Sequence, residues 1–111
     1  MSVIFPGPDT VIAGIHELGV QLGFRRLRID RSGRGGTEER PNCWFEVGYG
    51  CKEIKVRFYS RGSEHGIEPY RATWDRVDLD EIARRLCTLI DLSEGGNSGA
   101  LIAHMIEGDS K

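Results

Sequence analysis

CWFEVGYGCKEIKVRFYS, residues 43–60, decides the fold of this chain. Apolar and polar side chains alternate twice along it, and such alternation is typical of β-strands with one buried face. A turn at Gly50 and Cys51 joins the two strands into a hairpin, because a type II′ turn takes glycine in its first central position. A turn at Cys51 and Lys52 instead would change which residues pair, but each side chain would stay on its own face of the sheet. The first turn predicts two inward pairs, Val47 with Ile54 and Phe45 with Val56.

The two faces of this predicted hairpin differ in chemistry. One face is apolar and forms the expected core: Phe45, Val47, Ile54, Val56 and Phe58. The other face mixes aromatic and charged side chains: Trp44, Glu46, Lys55, Arg57 and Tyr59. A sheet that packs on one side only produces this pattern. We therefore expect helices on the apolar face and any function of the sheet on the other.

A first helix is predicted before the hairpin, over residues 11–22. Asp9 or Thr10 is placed to cap its start, and Gly23 is a natural stop for it. Residues 24–31 then alternate as a strand. Residues 32–42 are glycine, charged and turn residues, which predicts a loop.

A second long helix is predicted over residues 79–92. It follows Asp78-x-x-Glu81, which has the form of a capping box. Residues 70–77, just before it, read as an edge strand. A short last helix begins at about Asn97 and carries an apolar stripe of Leu101, Ile102, Met105 and Ile106.

This order of elements predicts one α+β domain over residues 1–111. The expected architecture has two layers, with an N-terminal helix, a three- to four-stranded antiparallel sheet, one long C-terminal helix and a short last helix. Apolar residues make up 39% and charged residues 29% of the chain, a composition that supports one packed core.

Several classes of protein are disfavoured by the sequence. No window approaches the ~18 apolar residues of a membrane span, and the first ten residues do not resemble a signal peptide. The three cysteines are an odd number without a C-x-x-C pair, which predicts reduced thiols and a cytoplasmic protein. The histidines and cysteines match no metal-ligand spacing, with His16 expected on the polar side of the first helix. We expect no metal and no cofactor.

The formal net charge of −2 conceals two opposite halves. Residues 25–61 hold ten Lys and Arg against five Asp and Glu, whereas residues 62–111 hold five against ten. Such separation steers a charged partner towards one side of a protein, although the two halves can also neutralise each other across the fold. The charge pattern therefore favours binding over catalysis.

The leading hypothesis is a small non-catalytic binding protein, an inhibitor- or antagonist-type accessory protein such as those of phage anti-defence and toxin–immunity systems. It would act through protein–protein contact and charge complementarity. Two surfaces are candidates. The first is the outer face of the sheet: Arg26, Arg28, Trp44, Lys55, Arg57 and Tyr59. The second is acidic and mimics nucleic acid: Asp78, Asp80, Glu81, Asp91 and Glu94. A homodimer formed through the last helix is a further expectation.

A second function is compatible with the residues of the sheet face. Arginines interleaved with Trp44 and Tyr59 suit phosphate contacts and base stacking, so the alternative is a nucleic-acid-binding domain. The plainest interpretation of this surface is a solvated sheet face on which the arginines cover the rings and pair with Glu46 and Asp30.

A third function comes from a resemblance. GIHELGVQLGFRRLRI, residues 14–29, followed by Pro41-Asn42 and Glu53-Ile54-Lys55, resembles the helix, strand and PD…ExK motif of PD-(D/E)xK nucleases. Glu17 stands in the place of the helical Glu, and Asn42 stands where the family has its metal-binding Asp. The resemblance implies a degenerate nuclease in which carboxylates hold Mg²⁺ and Lys55 orients the attacking water.

Overall fold

The hairpin of residues 43–60 lies at the centre of an antiparallel sheet. The computed structural model describes residues 7–31, 34–61 and 67–94. Its elements are α1 (Pro8–Gln21), β1 (Arg25–Ile29), β2 (Gly35–Glu39), β3 (Cys43–Gly50), β4 (Glu53–Ser60), β5 (Tyr70–Thr73), a 3₁₀ turn (Trp74–Arg76) and α2 (Leu79–Glu94). The strands are hydrogen-bonded in chain order from β1 to β5. The predicted α+β fold with an N-terminal helix, an antiparallel sheet and a C-terminal helix is confirmed.

The predicted number of three to four strands is wrong, because the sheet has five. The segment predicted as a loop contains β2, whose sequence is GGTEE. No apolar alternation marks this segment. Its pairing with both β1 and β3 is what defines it as a strand. The helical layer also contains more than the two predicted long helices, because the 3₁₀ turn packs against α1.

The turn of the central hairpin is the shifted one. Cys51 and Lys52 have φ angles of 53° and 63°, which are the two left-handed positions of a type I′ turn. The inward pairs are therefore Val47 with Val56 and Phe45 with Phe58, not the pairs expected from a Gly50–Cys51 turn. The faces are as predicted, because this shift leaves every side chain on its side of the sheet.

Helix α1 begins earlier than predicted. Gly7 is its N-cap and Pro8 its first helical residue, a position where proline loses no hydrogen bond. The predicted caps Asp9 and Thr10 therefore lie inside the helix. The stop at Gly23 is confirmed, and its φ of 89° explains the glycine.

Both helices cover the same face of the sheet, which we call the inner face. One hydrophobic cluster joins them to β3 and β4: its largest fully buried apolar side chains are Phe45, Ile15, Leu22, Ile54, Ile82, Leu86, Leu89 and Ile90. At ~25 cal/mol per Å² of apolar surface, burial of such side chains is the main source of stability. Helix α1 needs this packing, because Gly14 and Gly19 lower its intrinsic helix propensity.

The inner face also holds one buried polar pair. His16 Nδ1 of α1 hydrogen-bonds to Glu38 Oε2 of β2, and the two residues are 3% and 0% exposed. Neither His16 Nε2 nor Glu38 Oε1 has a partner among the residues described by the structure. The prediction that His16 lies on the polar side of the helix is wrong, because Glu38 gives that side of α1 a buried partner.

Helix α2 starts as the sequence predicts, at Leu79 after Asp78. Asp78 Oδ1 accepts hydrogen bonds from the backbone N–H groups of Asp80 and Glu81, at 3.0 and 3.2 Å. The reciprocal half of the capping box is absent, since the Asp78 N–H donates to Tyr70 Oη instead. The predicted last helix, and the homodimer expected to form through it, lie outside the described residues.

Strand β5 is shorter than the predicted 70–77 and lies at an edge of the sheet, as expected. The chain then enters the 3₁₀ turn before α2. Cys43 and Cys87 are buried and Cys51 is exposed, and none of the three forms a disulfide in the structure. Neither α1 nor α2, nor any other helix in the described ranges, has the length and apolar character needed to cross a bilayer.

Candidate functional site

The side of the sheet opposite α1 and α2, which we call the outer face, carries no described helix. Strand alternation and register place these residues on it: Arg25 and Arg28 of β1, Thr37 and Glu39 of β2, Trp44, Glu46 and Gly48 of β3, Glu53, Lys55, Arg57 and Tyr59 of β4, and Arg71 of β5. The sequence predicted five of these as a binding face. Its position opposite the packed core is what makes this surface available.

An aromatic stack is the main feature of the outer face. Trp44 and Tyr59 are directly opposite each other on β3 and β4, with ring centroids 5.2 Å apart and planes 11° from parallel. The Arg61 guanidinium lies over the Trp44 ring, 5.2 Å from its centroid. Arg61 is fixed there by an ion pair with Glu39 and by donation from Nε to the Pro41 carbonyl. The three side chains form a continuous stack, which we call the Arg61–Trp44–Tyr59 stack.

The cations beside this stack are not neutralised by ion pairs. Arg28, Lys55 and Arg57 make no ion pair with any residue in the described parts of the chain. Arg57 lies directly opposite Glu46, whose Oε1 is instead 3.5 Å from the Tyr59 hydroxyl. The expectation that these cations pair with Glu46 therefore does not describe the surface.

Arg26 does not belong to the outer face as predicted. A bulge in β1 pairs Arg26 with Glu38 and Arg28 with Thr37, which are consecutive residues of β2. Consecutive strand residues point to opposite faces, so Arg26 lies on the helix side of this edge strand and Arg28 on the outer side. The alternation of the sequence could not show this, because the bulge adds one residue that only the pairing reveals.

A shallow depression of about 280 Å³ lies in the outer face over Gly48. Two carboxylates and two cations line it, from Glu46, Glu53, Lys55 and Arg57. A Cβ at Gly48 would have no atom within 4 Å, so the missing side chain leaves open space here. The mixed charge suits a partner that itself carries both signs of charge.

A second depression, of about 430 Å³, lies where the start of β1 meets the β2–β3 turn. Four arginines and one carboxylate line it together with Gly23, Leu27 and Pro41; the charged residues are Arg25, Arg26, Arg40, Arg61 and Glu39. We call it the arginine cleft. Of these four arginines the sequence placed only Arg26 on the predicted binding face, because three separate segments of chain bring the set together.

The acidic surface proposed as an alternative is partly used within the protein. Asp78 caps α2, and Glu81 forms ion pairs with Arg84 and Arg85 at 3.2 and 3.0 Å. Hydrogen bonds from Arg85 and then from Arg84 lower the pKa of Glu81 below its ordinary value. Asp80 is exposed, and the Glu94 side chain lies outside what the structure describes. These internal contacts reduce the negative charge that α2 presents to a partner.

The nuclease-like residues do not converge. Glu53 and Lys55 lie on the outer face, whereas Glu17 is an exposed residue of α1 in the helical layer on the other side of the sheet. Asn42 is exposed in the turn between β2 and β3. No group of three or more His, Cys, Asp or Glu side chains in the described ranges is placed to hold a metal ion.

Comparison of the chain with protein-family models, with curated proteins and with solved structures finds no match. The functional argument therefore rests on the geometry of its own residues. Sequence reasoning missed Arg61 as a direct partner of Trp44, and Arg40 as part of a cleft. The strand alternation that puts Trp44 and Tyr59 on one face was the signal that pointed towards the stack, whereas their direct pairing follows from the Cys51–Lys52 turn.

Proposed function

We propose that the protein is a non-catalytic binding protein that occupies the surface of a partner protein with its outer face. In the narrower form of this proposal it is an inhibitor-type accessory protein, which suppresses the partner by covering a functional surface. The Arg61–Trp44–Tyr59 stack on a face free of described helices carries the proposal. Trp, Tyr and Arg are the residues that contribute most to protein–protein binding energy.

The stack favours a protein partner over bases. Stacking of a nucleobase needs a free ring face, and the Trp44 ring is already in contact with the Arg61 guanidinium and the Tyr59 ring. Together the three side chains form a partly apolar ridge. A ridge fixed by stacking and by the Arg61 ion pair loses little side-chain entropy when a partner covers it.

The charges around the stack support the same partner class. Carboxylates and cations alternate across the outer face, with Glu39, Glu46 and Glu53 among the arginines. A phosphate backbone would be repelled by the carboxylates and attracted by the cations, whereas a protein surface can match both. Five strands also offer an area comparable to the ~800 Å² per partner of a standard interface.

A variant on the outer face tests the proposal. Trp44→Ala with Arg57→Ala removes one member of the stack and one unpaired cation, and the matched control is Arg84→Ala with Leu92→Ala on α2. Wild type and both variants are used side by side to capture a partner from the native host, and the affinity is then measured with the purified partner. We expect the outer-face variant to bind at least about 30-fold more weakly, as for a binding hot spot.

The control is expected to bind within about threefold of wild type. Circular dichroism checks that both variants are folded. A partner that the outer-face variant binds as tightly as wild type does would overturn the proposal, as would loss of binding in the control alone. The inhibitor form adds one requirement: the wild type suppresses the partner's own activity and the outer-face variant does not.

The second candidate is nucleic-acid binding, which the unpaired cations Arg28, Lys55 and Arg57 favour. Fluorescence polarisation with a labelled single strand and a duplex, at about 50 and about 200 mM salt, tests it directly. Binding that weakens steeply with salt and is lost on Arg28→Ala with Arg57→Ala would assign this function in place of protein binding.

A further inference from the structure

We propose that the arginine cleft is a binding site for a phosphate-type dianion. Its chemical class is a small compound with a terminal phosphate, either free inorganic phosphate or pyrophosphate, or the phosphomonoester of a small molecule. The site borders the outer-face surface proposed above, and Arg25, Glu39 and Arg61 contribute to both.

The charge of the cleft is the first observation. Four arginines and one glutamate line the same depression of about 430 Å³. An excess of cationic over anionic residues in one depression attracts an anion. Glu39 supplies one negative charge through its ion pair with Arg61, and the described residues provide no ion pair for Arg25 or Arg26.

The second observation is that two of the four guanidinium groups are already fixed. Arg40 donates from Nη1 to the Leu22 carbonyl and lies over the Phe24 ring, 5.7 Å from its centroid. Arg61 donates from Nε to the Pro41 carbonyl. Their positions are set by main-chain acceptors at the end of α1 and in the β2–β3 turn. Such preorganisation lowers the entropic cost of binding an anion.

The backbone explains how arginines from distant positions meet here. Gly23, with its left-handed φ of 89°, turns the chain from α1 directly into β1, and the Arg40 side chain lies against it, so that Arg25, Arg26 and Arg40 line one depression. Neighbouring strand residues point to opposite faces, but β1 is an edge strand and the cleft extends around its first residues. The bulge after Arg26 strengthens the local twist and spreads the two side chains.

A phosphate group fits these donors better than a carboxylate does. A guanidinium group offers parallel N–H donors that match two oxygens of a phosphate, and a dianion can accept from several arginines at once. The volume lies within the ~300–1,000 Å³ of small-molecule sites, which leaves room for the group that carries the phosphate.

Calorimetric titration of the full chain with sodium pyrophosphate, inorganic phosphate and a nucleoside 5′-monophosphate tests the proposal. The cleft variant is Arg25→Gln with Arg26→Gln, two exposed residues whose replacement removes no buried contact. The matched control is Arg76→Gln with Arg84→Gln, which removes the same charge from the helical side. We expect saturable pyrophosphate binding to wild type and control, weakened at least about tenfold in the cleft variant.

Amide chemical shifts of the wild-type protein give a second readout that needs no variant. With pyrophosphate, the largest shifts are expected in residues 23–27 and 39–41. The ranking of phosphate, pyrophosphate and nucleotide then separates a free phosphate from a phosphomonoester as the ligand.

The assignment would be overturned by absence of saturable binding, by equal binding of the cleft variant, or by shifts centred elsewhere on the surface. An oligonucleotide that binds to the cleft more than about tenfold tighter than pyrophosphate would also overturn it, in favour of a phosphodiester backbone. The partner-binding test uses Trp44 and Arg57, so failure of one proposal is distinguishable from failure of the other.

Discussion

The two faces of the sheet divide the properties of this protein between them. The inner face holds the packed core on its central strands, and the polar pair of His16 and Glu38 is enclosed with that core. The outer face keeps a stacked Trp44 and Tyr59, open space over Gly48 and cations without ion pairs among the described residues. The contrast teaches that stability and recognition use different side chains of the same strands. Substitutions on the inner face should destabilise the fold, and those on the outer face should change binding with little loss of stability.

The largest effect is expected from the buried pair. His16→Ala leaves the Glu38 carboxylate without its hydrogen-bond partner inside the core, which should lower the free energy of unfolding by about 3 kcal/mol. Urea denaturation followed by circular dichroism measures the change.

Two further variants sharpen this test. His16→Leu with Glu38→Met replaces the pair by apolar groups, and we expect it to recover most of the lost stability, because an apolar pair needs no hydrogen bonds. Glu46→Ala on the outer face should change stability by no more than about 0.5 kcal/mol. A double variant as unstable as His16→Ala would show that the site requires polar groups.

A pair of glycine substitutions gives the next largest contrast. A Cβ at Gly19 would lie 2.7 Å from Phe45 Cζ, and the Phe45 ring is held edge-on against Phe24 with centroids 5.0 Å apart. Gly19→Ala should therefore destabilise the fold by about 1–2 kcal/mol, the cost of overpacking less the gain in helix propensity.

The matched change on the outer face has the opposite sign. Gly48→Ala meets no atom within 4 Å and should stabilise the strand by up to about 1 kcal/mol. Thermal unfolding of both variants compares them directly. If both variants gain stability, the close approach of α1 to Phe45 is not as the structure has it.

The smallest effect concerns pH. Burial, and then the charge of Asp91, raise the pKa of the Cys87 thiol above its ordinary value of 9.0. Above that value the unfolded chain releases the thiol proton while the folded chain still holds it, so this contribution to stability is lost as the pH rises. We expect stability to fall between pH 8 and pH 10 by about 1 kcal/mol or less from this group.

Exposed Cys51 serves as the control for the thiol. The loss of stability between pH 8 and pH 10 should be smaller in Cys87→Ala than in Cys51→Ala, when each variant is compared with its own stability at pH 8. Equal pH dependence in the two variants would exclude Cys87 as the cause. A thiol reagent at neutral pH should modify Cys51 first, since Cys43 and Cys87 are buried.

Much of the fold could be predicted because its signals are local. The alternation of residues 43–60 gave the central hairpin and both of its faces, and Asp78 gave the start of α2. Strand β2 could not be predicted in this way. Its sequence, GGTEE, has no apolar alternation, and Glu38 is buried only because His16 of α1 meets it.

The same distinction between local patterns and long-range contacts applies to the candidate sites. Five of the six residues predicted for the sheet face lie on the outer face, because strand alternation survives a change of turn. Arg26 was misplaced, since a bulge is a property of the pairing between strands. The arginine cleft was not predicted as a site at all, because it joins residues from the start of β1, the β2–β3 turn and the end of β4.

The sequence by itself determined which residues form the core of the hairpin, where the two long helices lie, and that one sheet face is rich in aromatic and cationic side chains. These properties follow from periodicity and capping, which act within a few residues. Only the tertiary structure decided the fifth strand, the buried His16–Glu38 pair, the position of Arg61 over Trp44 and the meeting of four arginines. Each of these depends on contacts between segments far apart in the chain, and no local pattern encodes such contacts.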